Sequence, residues 1–402
     1  MQIITLSTII AFLVAILTFP YALKLAERYN IVDNPDARKL QRVPIPLLGG
    51  LVVFCGVLAG VICYYGFEKS PQFPLGILGM IIMLIVGTWD DMRGLSVKVR
   101  FVVEVLTVLG LMMFARASID NLHGLWGVHE MPIVVTYILS VVAGVGIINA
   151  MNLIDGIDGY SSGYGMFACS CFALLFCYNG KPATMMIALV TAASLLPFFL
   201  HNVFGKKTKM FIGDGGTLML GVLVTMFVFS ALTSRSKCMF LDRLNFSVIA
   251  YALAILSIPV FDTLRVMIAR ITRGKSPFSP DKTHLHHLFI DMGFSHLGAA
   301  FTIIALNAGV VWLWYLVYKL GAPMDIQIYA VVVMGIIVTF VFYKFMRTQQ
   351  HSGPVGEDGE PQGTAVWKFA QRIGALSHIE KGAFWLFMRK LVDNELFKKE
   401  KD

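Results

Sequence analysis

An all-α integral membrane protein of about eleven transmembrane helices, N-terminus outside and C-terminus cytoplasmic, is the fold class this sequence predicts. Three observations predict it. Its 402 residues are 57% apolar and only 14% charged. Apolar runs near the roughly 20 residues that span a bilayer recur along the chain. With the N-terminus outside, 26 of the 33 lysines and arginines fall on the cytoplasmic side, as the positive-inside rule expects. The formal charge of +8 is then an orientation signal and calls for no nucleic-acid partner.

In chain order, hydropathy puts the spans at about 3–23, 47–66, 73–90, 99–116, 131–151, 160–178, 183–201, 211–233, 246–265, 297–318 and 324–346. The opening run, MQIITLSTIIAFLVAILTFP, has no basic n-region and no small-residue cleavage site. It reads as a retained first span rather than a signal peptide. Six cysteines lie mostly inside apolar runs without a CxxC pair, so they read as buried thiols. Residues 1–346 form the polytopic domain, 347–364 a polar Gly/Pro-rich linker and 365–402 a cytoplasmic tail. In the tail, Val366, Phe369, Ile373, Leu376, Phe384, Phe387 and Leu391 recur at near-helical spacing. Lys368, Arg372, Lys381, Arg389 and Lys390 stand between them. That is the pattern of a basic amphipathic helix lying on the inner leaflet, and the tail is expected to carry no chemistry.

Every unusual polar cluster falls on the cytoplasmic side: DNPDARKLQRVPIPLLGG (33–50), WDDMRG (89–94), NAMNLIDGIDG (149–159), FIGDGG (211–216) and SPDKTHLHHLF (279–289). Five loops far apart in sequence are in a position to converge on one inward-facing site. Asp90 and Asp91 are adjacent carboxylates at a span end, which need a cation or water to stay ionised together. Asn149, Asn152, Asp155 and Asp158 recur at every third position. On one continuous helix such steps drift by about 60° each. Gly156 and Gly159 instead end the helix near Asp155, leaving the two aspartates on a loop. An all-oxygen set of this kind suits a hard cation, Mg²⁺ or Mn²⁺, rather than zinc. Asp214 starts another apolar run between glycines that permit close approach of the backbone to a ligand, or simply a tight turn. His284, His286 and His287 sit near Arg270, Arg273, Lys275 and Lys282, a setting for phosphate recognition more than for zinc. Asp262 reads as the structural partner of Arg265, three residues on. A carboxylate–cation centre beside basic groups points to phosphoryl transfer, and the membrane setting to a lipid substrate.

DNPDARK…PIPLLGG, the DD pair, NAMNLIDGIDG, GDGG and PVFDTLRVMIARITRGKSPFSPDKTHLHHLF together resemble the polyprenyl-phosphate N-acetylhexosamine-1-phosphate transferase superfamily, glycosyltransferase family 4. The HLHH form looks like the undecaprenyl-phosphate GlcNAc-1-phosphate transferase branch, which starts O-antigen, enterobacterial common antigen, capsule or teichoic acid linkage synthesis. The resemblance implies a multi-pass enzyme of the bacterial cytoplasmic (inner) membrane with its active site facing the cytoplasm. It would transfer N-acetylhexosamine-1-phosphate from a UDP-sugar, UDP-GlcNAc first, to undecaprenyl phosphate, releasing UMP with Mg²⁺. Carried over by motif, Asp90, Asp91 and Asp214 would be catalytic and metal-binding acids, with Asn152 a further metal ligand. Asn149, Asn152, Asp155, Asp158, His284, His286 and His287 would bind the nucleotide sugar. Arg42 and Lys98 would hold the lipid phosphate. Asp90 is a candidate base, although a phosphate monoester with a second pKa of about 6 is already largely dianionic at pH 7. A homodimer is expected from relatives. The chain departs from the family at Gln41, where relatives often carry histidine, and at Gly216 and Thr217, where many read GDxGS. Rival readings are a phospho-MurNAc-pentapeptide transferase, an inward-facing cation or phosphate transporter, and a metal-ion sensor or membrane scaffold.

Overall fold

The computed structural model describes residues 1–34, 43–68, 76–114, 117–234, 245–279, 282–353, 361–379 and 382–393. The apolar runs form helices: α1 (Gln2–Arg28), α2 (Gly49–Glu68), α3 (Gly76–Arg93), α4 (Val97–Phe114), α5 (Ile133–Leu153), α6 (Tyr160–Tyr178), α7 (Pro182–Phe204) and α8 (Gly213–Leu232). They continue with α9 (Val248–Ile255), α10 (Ser257–Thr272), the short α11 (Leu285–Asp291), α12 (His296–Lys319) and α13 (Met324–Gln350). Two tail helices, α14 (Ala365–Leu376) and α15 (Ala383–Val392), follow.

Among the described residues, eight helices are long and apolar enough to cross a membrane, and nine spans result if the bent pair α9–α10 is one. This is a multi-pass membrane protein. Of the eleven expected spans, the two outside this set are α3 and α4. Their ends carry Asp90, Asp91 and Arg93, and Lys98, Arg100 and Glu104, respectively.

Helix α8 is the axis of the bundle. It is buried along nearly its whole length and packs against α2, α3 and α5. In a membrane, helices gain little by hiding apolar surface from lipid, so close association rests on small residues that let backbones touch. The sequence supplies them. A Cβ on Gly221 of α8 would lie 2.6 Å from the Ile148 Cα of α5. One on Gly56 of α2 would lie 2.8 Å from the Ala11 carbonyl of α1.

The span expected at 246–265 is broken, and α9 and α10 meet at 69°. Pro259 has no N–H to give the Ile255 carbonyl four residues back. Asn307 of α12 repairs the gap. Its Nδ2 donates to the carbonyls of Ala254 (3.2 Å) and Ile255 (2.8 Å), and its Oδ1 accepts from the Ile258 N–H (3.0 Å). The Tyr164 hydroxyl donates a further bond to the Ile255 carbonyl (2.8 Å). Asn307→Leu strands the buried Ile258 N–H, at about 1–3 kcal/mol, and leaves the Ile255 carbonyl to Tyr164 alone. The variant is expected to melt well below the parent in a detergent thermal-shift experiment.

The tail departs from the single amphipathic helix expected. It forms two helices, and the buried anchors are Trp367 and Trp385, which the expected stripe omits. The stripe itself, from Val366 and Phe369 through Ile373 and Leu376 to Phe384, Phe387 and Leu391, stays exposed.

Candidate active site

Two short strands begin the site. Val32–Asp33 (β1) pairs antiparallel with Ile45–Pro46 (β2), with Asp33 opposite Ile45. The PIPLLGG stretch then lies against the turn that starts α8. Phe211 N–H donates to the Pro46 carbonyl (2.8 Å), Gly49 N–H to that of Phe211 (3.0 Å) and Gly50 N–H to that of Ile212 (2.9 Å). The GDGG glycines serve this packing. Gly213 has φ +71°, and a side chain there would meet Asp91 Oδ2 at 2.6 Å. A Cβ on Gly216 would lie 2.7 Å from the Gly50 Cα, and one on Gly215 would lie 2.8 Å from the Leu84 carbonyl of α3. The close backbone approach read from the sequence is therefore an approach of helix to helix. Thr217, a departure from the family pattern, keeps a hydroxyl that accepts from Asn152 Nδ2 (2.9 Å).

All five polar clusters reach one cavity of about 540 Å³. Asp33 and Leu47 come from the first, Asp91 from the second, and Asp155 and Asp158 from the third. Asp214 comes from the fourth, and Lys282 and His287 from the fifth. Lys209 and His296, which sequence reading passed over, complete the charged wall.

The adjacent acids part company. Asp90 Oδ1 accepts the Leu95 N–H (2.6 Å) and its Oδ2 meets Arg100 Nη1 (3.3 Å), closing the turn after α3. Asp91 faces the cavity and accepts a long bond from Gly215 N–H (3.5 Å). The asparagines divide too. Asn152 Nδ2 donates to Asp214 Oδ1 (2.9 Å) and orients that carboxylate. Asn149 is buried behind the cavity, donating to Glu104 Oε2 (2.5 Å) and to the Val145 carbonyl (2.9 Å). Glu104 in turn faces Arg100 Nε (3.5 Å), whose Nη1 lies 3.9 Å from Asp214 Oδ2. Sequence reading passed over Glu104, although an acid inside an otherwise apolar run is a signal that could have marked it.

Asp155 accepts the Ser161 hydroxyl (2.7 Å). Burial pushes its carboxyl up to about 7 against that bond, and the neighbouring Asp214 and Asp158 charges add to the rise. Asp158 behaves oppositely. Burial alone would raise it, but the bond to His296 Nδ1 (3.0 Å) and the Lys209 ammonium (2.6 Å) hold it below the usual carboxylate range.

Among the described residues, no three side chains already form a preformed metal cluster. The donor set nevertheless fits a hard cation. Asp91, Asp155 and Asp214 bring carboxylate oxygens to one cavity, and the Asp214 charge adds to the cost of ionising Asp155. Such a site favours a proton or a hard divalent ion.

A family model described as glycosyl transferase family 4 matches residues 73–232. Over 318 residues the chain is 30% identical to the undecaprenyl-phosphate alpha-N-acetylglucosaminyl 1-phosphate transferase of Escherichia coli K12, covering 77% of this chain and 83% of that protein. It is 32% identical to a probable undecaprenyl-phosphate N-acetylglucosaminyl 1-phosphate transferase of Bacillus subtilis, covering 76% and 86%. The chain belongs to glycosyl transferase family 4.

The stretch matched by the family 4 model holds Asp91, Asp155, Asp158 and Asp214, whereas Asp33, Lys282 and His287 come from outside it. Within the histidine motif of this family 4 chain, the three rings have different surroundings. His284 caps α11, its Nδ1 3.0 Å from Asp262 Oδ2. Asp262 also accepts from Leu285 N–H (3.2 Å) and Arg265 Nη2 (2.6 Å), so the expected Asp262–Arg265 pair is present and anchors the histidine turn as well. His286 is buried against Gly156, where any side chain would collide with the imidazole. Burial, then the His287 and His284 charges, keep it neutral well below its usual range. Only His287 of the three lines the cavity. Lys98 is exposed on the first turn of α4 and does not line it; Arg42 lies outside the described residues.

Proposed function

We propose that this protein transfers N-acetylhexosamine-1-phosphate, with GlcNAc the first choice, from its UDP donor to undecaprenyl phosphate. The products are UMP and the lipid-linked sugar diphosphate that starts a cell-surface polysaccharide. The observation that carries the reading is the shared cavity, where five separated motifs bring carboxylates, a lysine and an imidazole together. The printed names of the relatives supply the acceptor and the sugar. Hydropathy supports the eleven spans in the cytoplasmic membrane, and the charge bias supports a cavity that faces the cytoplasm.

In the reaction, an oxygen of the lipid phosphate attacks the sugar-bearing phosphorus, and the bond from that phosphorus to the UMP oxygen breaks. The nucleophile is already largely dianionic at neutral pH, so no side chain has to deprotonate it. Mg²⁺, when bound, would neutralise diphosphate charge and stabilise the departing UMP. Asp91, Asp155 and Asp214 are the residues that would hold it. Asn152 and Arg100 orient Asp214. Lys209, Lys282 and His287 line the wall from which cations and an N–H donor can meet phosphate oxygens. Asp90 shapes the turn after α3 and is not the base. The exposed apolar stripe of α14 and α15, with its lysines and arginines, is the face that would rest on the inner leaflet.

Purified protein supplied with Mg²⁺, undecaprenyl phosphate and a panel of UDP-sugars is expected to release UMP and form lipid-linked product with UDP-GlcNAc. Folded protein that turns over none of the UDP-N-acetylhexosamines would overturn the assignment.

A further inference from the structure

The tail meets the bundle beside the two groups that hold Asp158. On one side, α15 seats Trp385 against Phe204 at the end of α7, ring centroids 4.7 Å apart. These two join Val203 and Val392 in a small apolar cluster separate from the main core. The next residue, Asp393, then closes the loop between α7 and α8. Its carboxylate accepts backbone N–H bonds from Lys206 (3.1 Å), Lys207 (3.2 Å) and Thr208 (3.2 Å), and the Thr208 hydroxyl (2.9 Å). Lys209, the next residue, places its ammonium 2.6 Å from Asp158.

On the other side, the end of α14 grips the start of α12. Ser295 N–H donates to Ser377 Oγ (2.8 Å), and Ser295 Oγ donates to the Ser377 carbonyl (2.9 Å). Ser295 is the cap of α12, accepting from Gly298 N–H (3.1 Å), and a side chain on Gly298 would collide with Ser377. His296, the next residue, is the second partner of Asp158. Leu297 packs into the cluster around Trp385, so the two grips share one patch.

The juxtaposition is specific. Each of the two grips reaches the residue immediately before a partner of Asp158, Thr208 before Lys209 and Ser295 before His296, and Asp158 lines the cavity. A loop whose successive amides all point at one carboxylate loses its fixed shape when that carboxylate is removed, since those donors then turn to water. We propose that α14 and α15 are a positioning element for the donor end of the cavity. Through Ser377 and Asp393 they fix the loops that carry His296 and Lys209, and with them the cationic wall that meets the anionic nucleotide sugar. This inference rests on the transferase reading for its ligand.

The test uses the full-length protein with Asp393→Ala, Asp393→Asn and Ser377→Ala. Two readouts are taken: steady-state UMP release as UDP-GlcNAc and undecaprenyl phosphate are varied, and hydrogen exchange along the chain. For Asp393→Ala, the KM for UDP-GlcNAc is expected to rise about tenfold, while kcat and the lipid KM stay within about threefold. Exchange should quicken at 206–210 and 295–298 and nowhere in α1, α5 or α8. Asp393→Asn keeps one acceptor oxygen and should fall between. An unchanged donor KM overturns the proposal, even if exchange quickens. So does a parallel decline of every parameter with faster exchange throughout, which marks general destabilisation. If the parent protein shows no turnover, the transferase reading fails separately. UDP binding by calorimetry with Mg²⁺ then decides: weaker binding in Asp393→Ala supports positioning, whereas equal binding, or none in the parent, overturns it.

Discussion

Asp91→Asn is expected to cut kcat by about 10²–10³-fold, the scale on which a site loses rate when one preorganised contribution to stabilising developing charge is removed, here a carboxylate that would hold the Mg²⁺. Asp90→Asn, one residue away, should cost less than about tenfold. The contrast follows from geometry. Asp91 lines the cavity, whereas Asp90 is spent on the Leu95 N–H and Arg100. An amide at position 90 still offers Leu95 an acceptor oxygen and loses only the charge opposite Arg100. The small loss at position 90 should be equal at about pH 6 and about pH 9, because the nucleophile titrates near pH 6 without help. UMP release from folded protein measures both variants. A larger loss at Asp90 than at Asp91 would reverse the assignment of the pair.

Gly216→Val is expected to prevent the bundle from closing. A Cβ at this position already falls 2.7 Å from the Gly50 Cα, and backbone cannot swing aside as a side-chain tip can. Overpacking of a tight contact costs about 1–3 kcal/mol, and a branched side chain between two helix backbones belongs at or above the top of that range. The observable is a collapsed yield of monodisperse protein, or a thermal midpoint far below the parent in detergent. Gly309→Ala is the matched control. It sits within α12 with open space around it, and should melt at or slightly above the parent.

Much of this was legible in the sequence, for identifiable reasons. Spans are written in composition, since lipid tolerates little else, but the span expected at 246–265 was read as continuous although Pro259 stands within it. The repair by Asn307 was not legible, because a lone asparagine in an apolar run does not announce its partner. The motif clusters named the cavity's walls, since acids, amides and histidines at span ends are costly without a purpose. What sequence could not assign was direction. Asp90 and Asp91, or His286 and His287, are equivalent on the page and opposite in space. Lys209 and His296 were invisible for a different reason: one looked like orientation charge and the other like an isolated histidine. Both owe their place to Asp158, a contact across long stretches of chain. The tail's tryptophans escaped because the stripe that stands out in sequence is the one left facing outward.

The parting of Asp90 and Asp91 also says where this chain can tolerate change in length. Successive helical residues turn by about 100°, so inserting or deleting one residue in the last turns of α3 would swing a different side chain into the cavity. It would also rotate Gly87 away from the backbone of Gly215, whose close contact sets the spacing of α3 and α8. Length variation is therefore barred from the cavity end of α3, and gains or losses there should be met only where a whole turn is compensated.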